Sequence, residues 1–184
     1  MSIVEKIGGW RQLEVEDVYE NPWIKVTHET VKTPNHTDGI YGVVHFKTRA
    51  VGILPVDDKG CTWLVKQSRY ALNEYTWEIP EGGAPLNEPP LVAAKRELRE
   101  ETGLSAKKWE PWLRLHLSNS VTDEEAMVYL ATELSPGEMA LEDTEDIQVS
   151  YLPLQQAIDM VMDGKITDAI SVATLLKASK LLTA

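Results

Sequence analysis

The chain has 184 residues, 43% of them hydrophobic, which suffices for one core, is small for two full domains, and fits neither a disordered nor a fibrous chain. With 18 Lys and Arg against 29 Asp and Glu, the net charge of −11 argues against broad electrostatic binding to nucleic acid or an anionic membrane, so an anionic substrate would need metal ions or local arginines. Cys61 is the only cysteine, which rules out an intrachain disulfide; no apolar run approaches the roughly 20 residues of a membrane span, MSIVEKIGGWR lacks a secretory core, and a cytoplasmic protein is expected.

Short β-rich runs fill the first half: WIKVTHETV at 23–31, YGVVHFK at 41–47, AVGILPV at 50–56 and CTWLVKQ at 61–67, parted by the turn signals NP, TPNHTDG and DDKG. TWEIPEGG then reads as a strand ending in a Gly-Gly turn, where missing side chains let backbone approach a ligand closely. Pro89 and Pro90 open the helical run LVAAKRELREETG, which closes on Gly103. Further strands are expected near 112–117, 126–132 and 147–154, followed by two helices, LQQAIDMVMDG ending at Gly164 and TDAISVATLLKASKLL. Strands bracketing a helix, then terminal helices, predict a mixed α/β sandwich in a single domain over 1–184, with no repeat or linker.

On the central helix Leu91, Ala94 and Leu98 share one stripe, and Glu97, Glu100 and Glu101 crowd beside it. Like charges three and four residues apart repel by a few tenths of a kcal/mol per pair, so a lone cluster of this kind is read first as a solvated face. A hard divalent cation changes that balance, because Mg²⁺ takes a few carboxylates together with water and phosphate oxygens, and Glu97 and Glu101 stand one turn apart. Arg96 is placed to pair with Glu100 four residues on, and a carbonyl near Glu81 or Gly82 could join the metal shell.

From Gly82 to Leu104 the residues follow G-x5-E-x7-R-E-U-x-E-E-x-G-U, U being aliphatic: Gly82, Glu88, then RELREETGL. This resembles the signature of the Nudix hydrolases. The resemblance implies a Nudix-type α/β/α sandwich with a mixed sheet and hydrolysis of a nucleoside diphosphate linked to another group. It implies Glu97 and Glu101 as principal metal ligands, Glu100 as a further ligand or support, Arg96 orienting them, Glu88 holding loop and helix together, and Mg²⁺ as cofactor with Mn²⁺ as a substitute. QSRY at 67–70 before TWEIPEGG, and GKITDAISVATLLKA near the end, resemble the ADP-ribose and nucleoside diphosphate sugar pyrophosphatase branch. The N-terminal region, about 1–48, resembles the part that pairs two subunits there, so a homodimer is expected.

One stretch departs from that branch. Where it carries SPG-x-(S/T)-x-E, this chain has Ser118-Asn119-Ser120-Val121-Thr122-Asp123-Glu124: Asn119 replaces the proline and Ser120 the glycine while the terminal glutamate is retained, so the expected substrate stays at nucleoside diphosphate sugars such as ADP-ribose or GDP-mannose. Glu124 is a candidate contact to metal or water. The resemblance places the general base in LEDTEDI at 141–147, with Glu145 first and Glu142 and Asp143 behind it. Arg69 suits a diphosphate and equally an ion pair; Tyr75 and Trp77 suit a base or sugar and equally the core. His28, His36, His45 and His116 have no metal-ligand spacing. Two other readings stay open: a nucleotide-sugar sensor that binds without hydrolysis, and a hydrolase of nucleoside triphosphates or dinucleoside polyphosphates.

Overall fold

This computed structural model describes residues 4–139 and 146–182. They fall into two compact units, one drawn from residues 1–48 and 116–124, the other from 49–115 and 125–184.

The first unit is an antiparallel sheet in the order β1-β2-β3-β4, with β1 at Val4–Glu5, β2 at Arg11–Glu20, β3 at Ile24–Lys32 and β4 at Asp38–Phe46. The NP turn forms because Asn21 Oδ1 accepts from the N–H groups of Trp23 and Ile24, each at 2.8 Å, an Asx turn that starts β3 in register. Pairing of β3 with β4 runs unbroken from Ile24↔Phe46 to Lys32↔Asp38, whereas β2 slips against β3 at Gln12/Glu14 and at Asp17/Tyr19. Residues 118–124 dock on β4: Val44 N–H donates to Val121 O at 2.8 Å, and Asp123 receives Phe46 N–H and lies 2.6 Å from His45 Nδ1.

Apart from Thr48 and His116, which are counted with the first unit, the second unit contains β5 (Thr48–Pro55), β6 (Cys61–Arg69), β7 (Glu74–Glu78), β8 (Glu81–Pro85), α1 (Pro90–Thr102), β9 (Leu104–His116), β10 (Glu125–Pro136), β11 (Gln148–Pro153), α2 (Leu154–Met162) and α3 (Ala169–Leu181). One sheet runs β8-β5-β10-β9 and another β11-β6-β7. The first is mixed, because β10 lies parallel to β5 from Ala126↔Ala50 to Ala131↔Pro55. Val51 and Ile53 of β5, with Tyr129 and Ala131 of β10, bury one face under Ala93, Ala94 and Leu98 of α1. The other face meets α3 at Gly52, where a Cβ would lie 2.8 Å from Ile170 Cγ2, so the glycine sets how closely that helix seats. Helices on opposite faces of a mixed sheet give the predicted α/β/α sandwich.

Two local expectations are corrected. Gly82 and Gly83 do not turn: they lie inside β8, and the chain reverses one step earlier, at Ile79 and Pro80. The strand expected near 112–117 begins at Leu104, directly after the helix. It includes Pro111, which β9 accommodates because it is an edge strand of its sheet.

Candidate functional site

Helix α1 ends as its sequence requires, with Gly103 left-handed at φ 71° and its N–H on Arg99 O at 2.9 Å. Its apolar stripe fixes the helix on the sheet, and this rotation turns Glu97 and Glu101 inward, to 7% and 1% exposure. Strand β8 runs against them. A Cβ on Gly82 would fall 2.0 Å from Glu97 Cδ and 2.2 and 2.4 Å from its two oxygens, so the Glu97 carboxylate occupies the space that any other residue at 82 would fill. Glu101 Oε2 accepts the N–H of Glu81 at 3.0 Å.

Arg96 holds this arrangement together. Its Nη1 lies 2.9 Å from both Glu97 Oε1 and Glu100 Oε2, and its Nη2 donates to Gly83 O at 2.9 Å. One guanidinium therefore offsets the repulsion between two carboxylates and ties the helix to β8. Its partial burial works against the charge, but Glu97 and Glu100 outweigh it and hold the arginine above its ordinary pKa.

Glu81 follows different chemistry. Burial, then the charge and hydrogen bond of Asp168, then Glu78, push its carboxyl well above the usual carboxylate range. Ser171 Oγ donates to Glu81 Oε1 at 3.0 Å. These groups shift the side chain toward its neutral form, while the backbone N–H of the same residue serves Glu101.

Arg69 and the buried Glu78 form a part-buried ion pair across the β6–β7 hairpin. Arg69 Nε donates to Glu78 Oε1 at 2.9 Å and Nη2 to Oε2, while Thr76 Oγ1 and Gln67 Nε2 supply Glu78 with further donors at 2.5 and 3.3 Å. Burial lowers the Arg69 pKa, and the Glu78 carboxylate more than restores it. The ion pair leaves 40% of the Arg69 side chain exposed.

Strand alternation sends Tyr75 and Trp77 to the face opposite Thr76 and Glu78. Neither is core: Tyr75 is 56% exposed, and Trp77 is half-buried. Lys66 Nζ lies 5.4 Å from the Tyr75 ring and 5.7 Å from that of Trp77. Tyr75 OH donates to Asp146 Oδ2 at 2.8 Å, and this hydrogen bond raises its pKa. Glu142, Asp143 and Glu145 lie outside the described residues. Glu124 belongs to the first unit, where its carbonyl accepts Leu117 N–H at 3.1 Å.

The donors that α1 and β8 present are all oxygen, which suits a hard divalent cation, and the Gly82 gap lets a carboxylate lie directly on the strand backbone. Among the described residues no three His, Cys, Asp or Glu side chains converge closely enough to hold an ion by themselves. Two contributors escaped the sequence reading. Glu78 sat unremarked in TWEIPEGG, though alternation about Trp77 and an arginine nine residues back were a usable signal; Ser171 had none, since its partners are 90 and 92 residues away.

The NUDIX domain profile matches residues 46–173, and that of a nucleoside diphosphate sugar hydrolase N-terminal domain matches residues 10–44. The chain is 36% identical over 137 residues to an ADP-ribose pyrophosphatase of Mycobacterium tuberculosis, a match spanning 73% of this chain and 65% of that one. It is 34% identical over 156 residues to an ADP-ribose pyrophosphatase of Bacillus subtilis, spanning 84% of each. The backbone follows the crystal structure of an ADP compounds hydrolase with a TM-score of 0.83 over 94% of this chain and 93% of that one, at 22% identity, a likeness of fold. Because the domain match takes in well over half of the chain and contains the whole box from Gly82 to Leu104, this protein belongs to the Nudix hydrolase family.

Proposed function

We propose that this Nudix hydrolase cleaves the pyrophosphate bond of a nucleoside diphosphate sugar, with ADP-ribose the first candidate and GDP-mannose next, to a nucleoside monophosphate and a sugar phosphate. The observation that carries the reading is the inward seating of Glu97 and Glu101 against β8, with Arg96 bridging Glu97 and Glu100. The two ADP-ribose pyrophosphatases among its relatives support ADP-ribose as the first substrate to try.

Glu97 and Glu101, with Glu100 and a carbonyl of Glu81 or Gly82, would hold Mg²⁺, for which Mn²⁺ substitutes. When bound, such ions neutralise diphosphate charge and lower the pKa of an attacking water. Arg96 keeps the carboxylates oriented. The exposed part of Arg69 is the candidate contact to a diphosphate oxygen, and the exposed ring of Tyr75, with Trp77 beside it, the candidate contact to a base or sugar. Since these aromatics and Arg69 occupy opposite faces of the hairpin, they would meet different parts of the ligand or different ligands. Glu145, then Glu142 and Asp143, remain the candidates for general base, and Glu124 for a contact to metal or water. We further propose a cytoplasmic homodimer that binds neither nucleic acid nor membrane; no helix among the described residues is long and apolar enough to cross a bilayer.

Turnover of ADP-ribose, GDP-mannose and ADP-glucose with Mg²⁺, measured beside nucleoside triphosphates and dinucleoside polyphosphates, tests the reading. Release of nucleoside monophosphate from at least one sugar compound, lost on chelation, is expected. Binding without turnover would identify a sensor, and turnover of triphosphates alone would move the substrate class. Glu101→Gln should cost about 10²-fold or more in kcat while the protein stays folded, because it removes a charged donor from the ion. Parent-like rates in that variant would overturn the ligand set.

A further inference from the structure

The motif GKITDAISVATLLKA carries no part of the box, yet it sends one side chain to it. Ser171 is fully buried in the first turn of α3. Its N–H donates to Asp168 Oδ2 at 2.7 Å, which caps the helix. Its hydroxyl oxygen accepts the N–H of Ile79 at 2.9 Å, and its one hydrogen goes to Glu81 Oε1 at 3.0 Å. A hydroxyl has one donor and two acceptor sites, so a single small group here grips both ends of the three-residue reversal that leads into β8. Ile79 is fully buried, and without Ser171 its N–H would be left unsatisfied. From the same reversal, Glu81 N–H donates to Glu101 Oε2 at 3.0 Å.

We propose that Ser171 is a positioning residue of the hydrolytic site: by fixing residues 79–81 it sets the Glu101 carboxylate and the Glu81 carbonyl for a divalent ion. The inference rests on the functional reading above, and it adds a support that reaches the box from a helix outside it. Arg96 holds Glu97 and Glu100 from within the box; Ser171 serves Glu101 through the reversal at 79–81.

Ser171→Ala, Ser171→Cys and Ser171→Thr test it through steady-state kinetics on ADP-ribose, Mn²⁺ titration without substrate, and thermal melting. In the alanine variant kcat and Mn²⁺ affinity are expected to fall about 10- to 100-fold with KM held within about threefold, the scale on which lost supports of metal ligands act. Ser171→Thr, which keeps the hydroxyl, should retain most of both. A folded Ser171→Ala with parent kcat and Mn²⁺ affinity would overturn the inference, as would a loss confined to KM. Ser171→Cys, close in volume, replaces the alanine variant if that one does not fold; should both unfold, the residue serves folding alone and the inference falls. A parent that turns over no nucleoside diphosphate sugar would sink the functional reading by itself, while the Mn²⁺ titration still decides for Ser171. A parent that binds no Mn²⁺ sinks the inference.

Discussion

A methyl group on Gly82 would sit 2.0 Å from Cδ of Glu97, far inside van der Waals contact, although Gly82 has no positive φ that only glycine favours. The residue is therefore glycine for space, and the space belongs to a carboxylate. Gly82→Ala must displace Glu97 or part α1 from β8. Overpacking of this kind costs about 1 to 3 kcal/mol, and the displaced carboxylate should cost at least about tenfold in kcat, a larger relative effect than the loss of stability explains. Melting curves and kcat on ADP-ribose measured together check this; full activity in a folded variant would mean that Glu97 need not stand where it does. At this scale the box was legible, since its residue types and spacing survive any detail of packing. The reason for its glycine was not, because the clash is between residues 15 positions apart in sequence and exists only once β8 and α1 are docked.

Among the elements, α1 announced itself through Pro90 at its start, Gly103 past its end and an apolar stripe between them, and the predicted strands at 23–31 and 61–67 fall within a residue or two of β3 and β6. β8 did not, because EGGAP has neither alternation nor β-branched residues and owes its extended form to pairing beside β5. In the first unit one element carries a charge that its pattern hides. Glu29 of β3 is 2% exposed and accepts from Gln12 Nε2 at 2.6 Å, Lys6 Nζ at 3.1 Å and Thr27 Oγ1 at 3.3 Å. Burial alone would raise its pKa, but these donors prevail and hold it below the usual 4.5. The folded state then binds fewer protons in acid than the unfolded one. The stability contributed by Glu29 is present above the unfolded value and is lost as pH falls through the folded one. Glu29→Gln should cost about 1.5 to 3 kcal/mol at neutral pH, the scale of hydrogen bonds to a charged group. It should also flatten the acid limb of the melting temperature below pH 4.5. Parallel melting curves for parent and variant through the acid range would mean that Glu29 does not carry this linkage.

For the molecule as a whole, β2 raises the question of what covers its edge. Residues 14–20 of this ten-residue strand are exposed on both faces, Val15, Val18 and Tyr19 at 46%, 59% and 55%, and among the described residues β1 pairs with Arg11 and Gln12 alone on that edge. Trp23 and Ile40 of the same unit are 69% and 70% exposed. A long open edge with apolar side chains is a template for another strand, and natural proteins either blunt such edges or use them. The four acidic residues Glu14, Glu16, Asp17 and Glu20 on β2 blunt it toward anionic or indiscriminate partners, while Lys25 and Lys47 pair with Asp17 and Glu20 and relieve part of that charge. A second copy brings the same apolar groups and the same lysines, so it suits the edge better than an arbitrary acidic surface does. Light scattering on the purified chain should accordingly give twice 20.6 kDa at micromolar concentration, and Val18→Glu should return it to the mass of one chain. A parent that runs at 20.6 kDa, or a Val18→Glu variant that stays paired, would remove β2 from the interface and leave its exposed face to another partner.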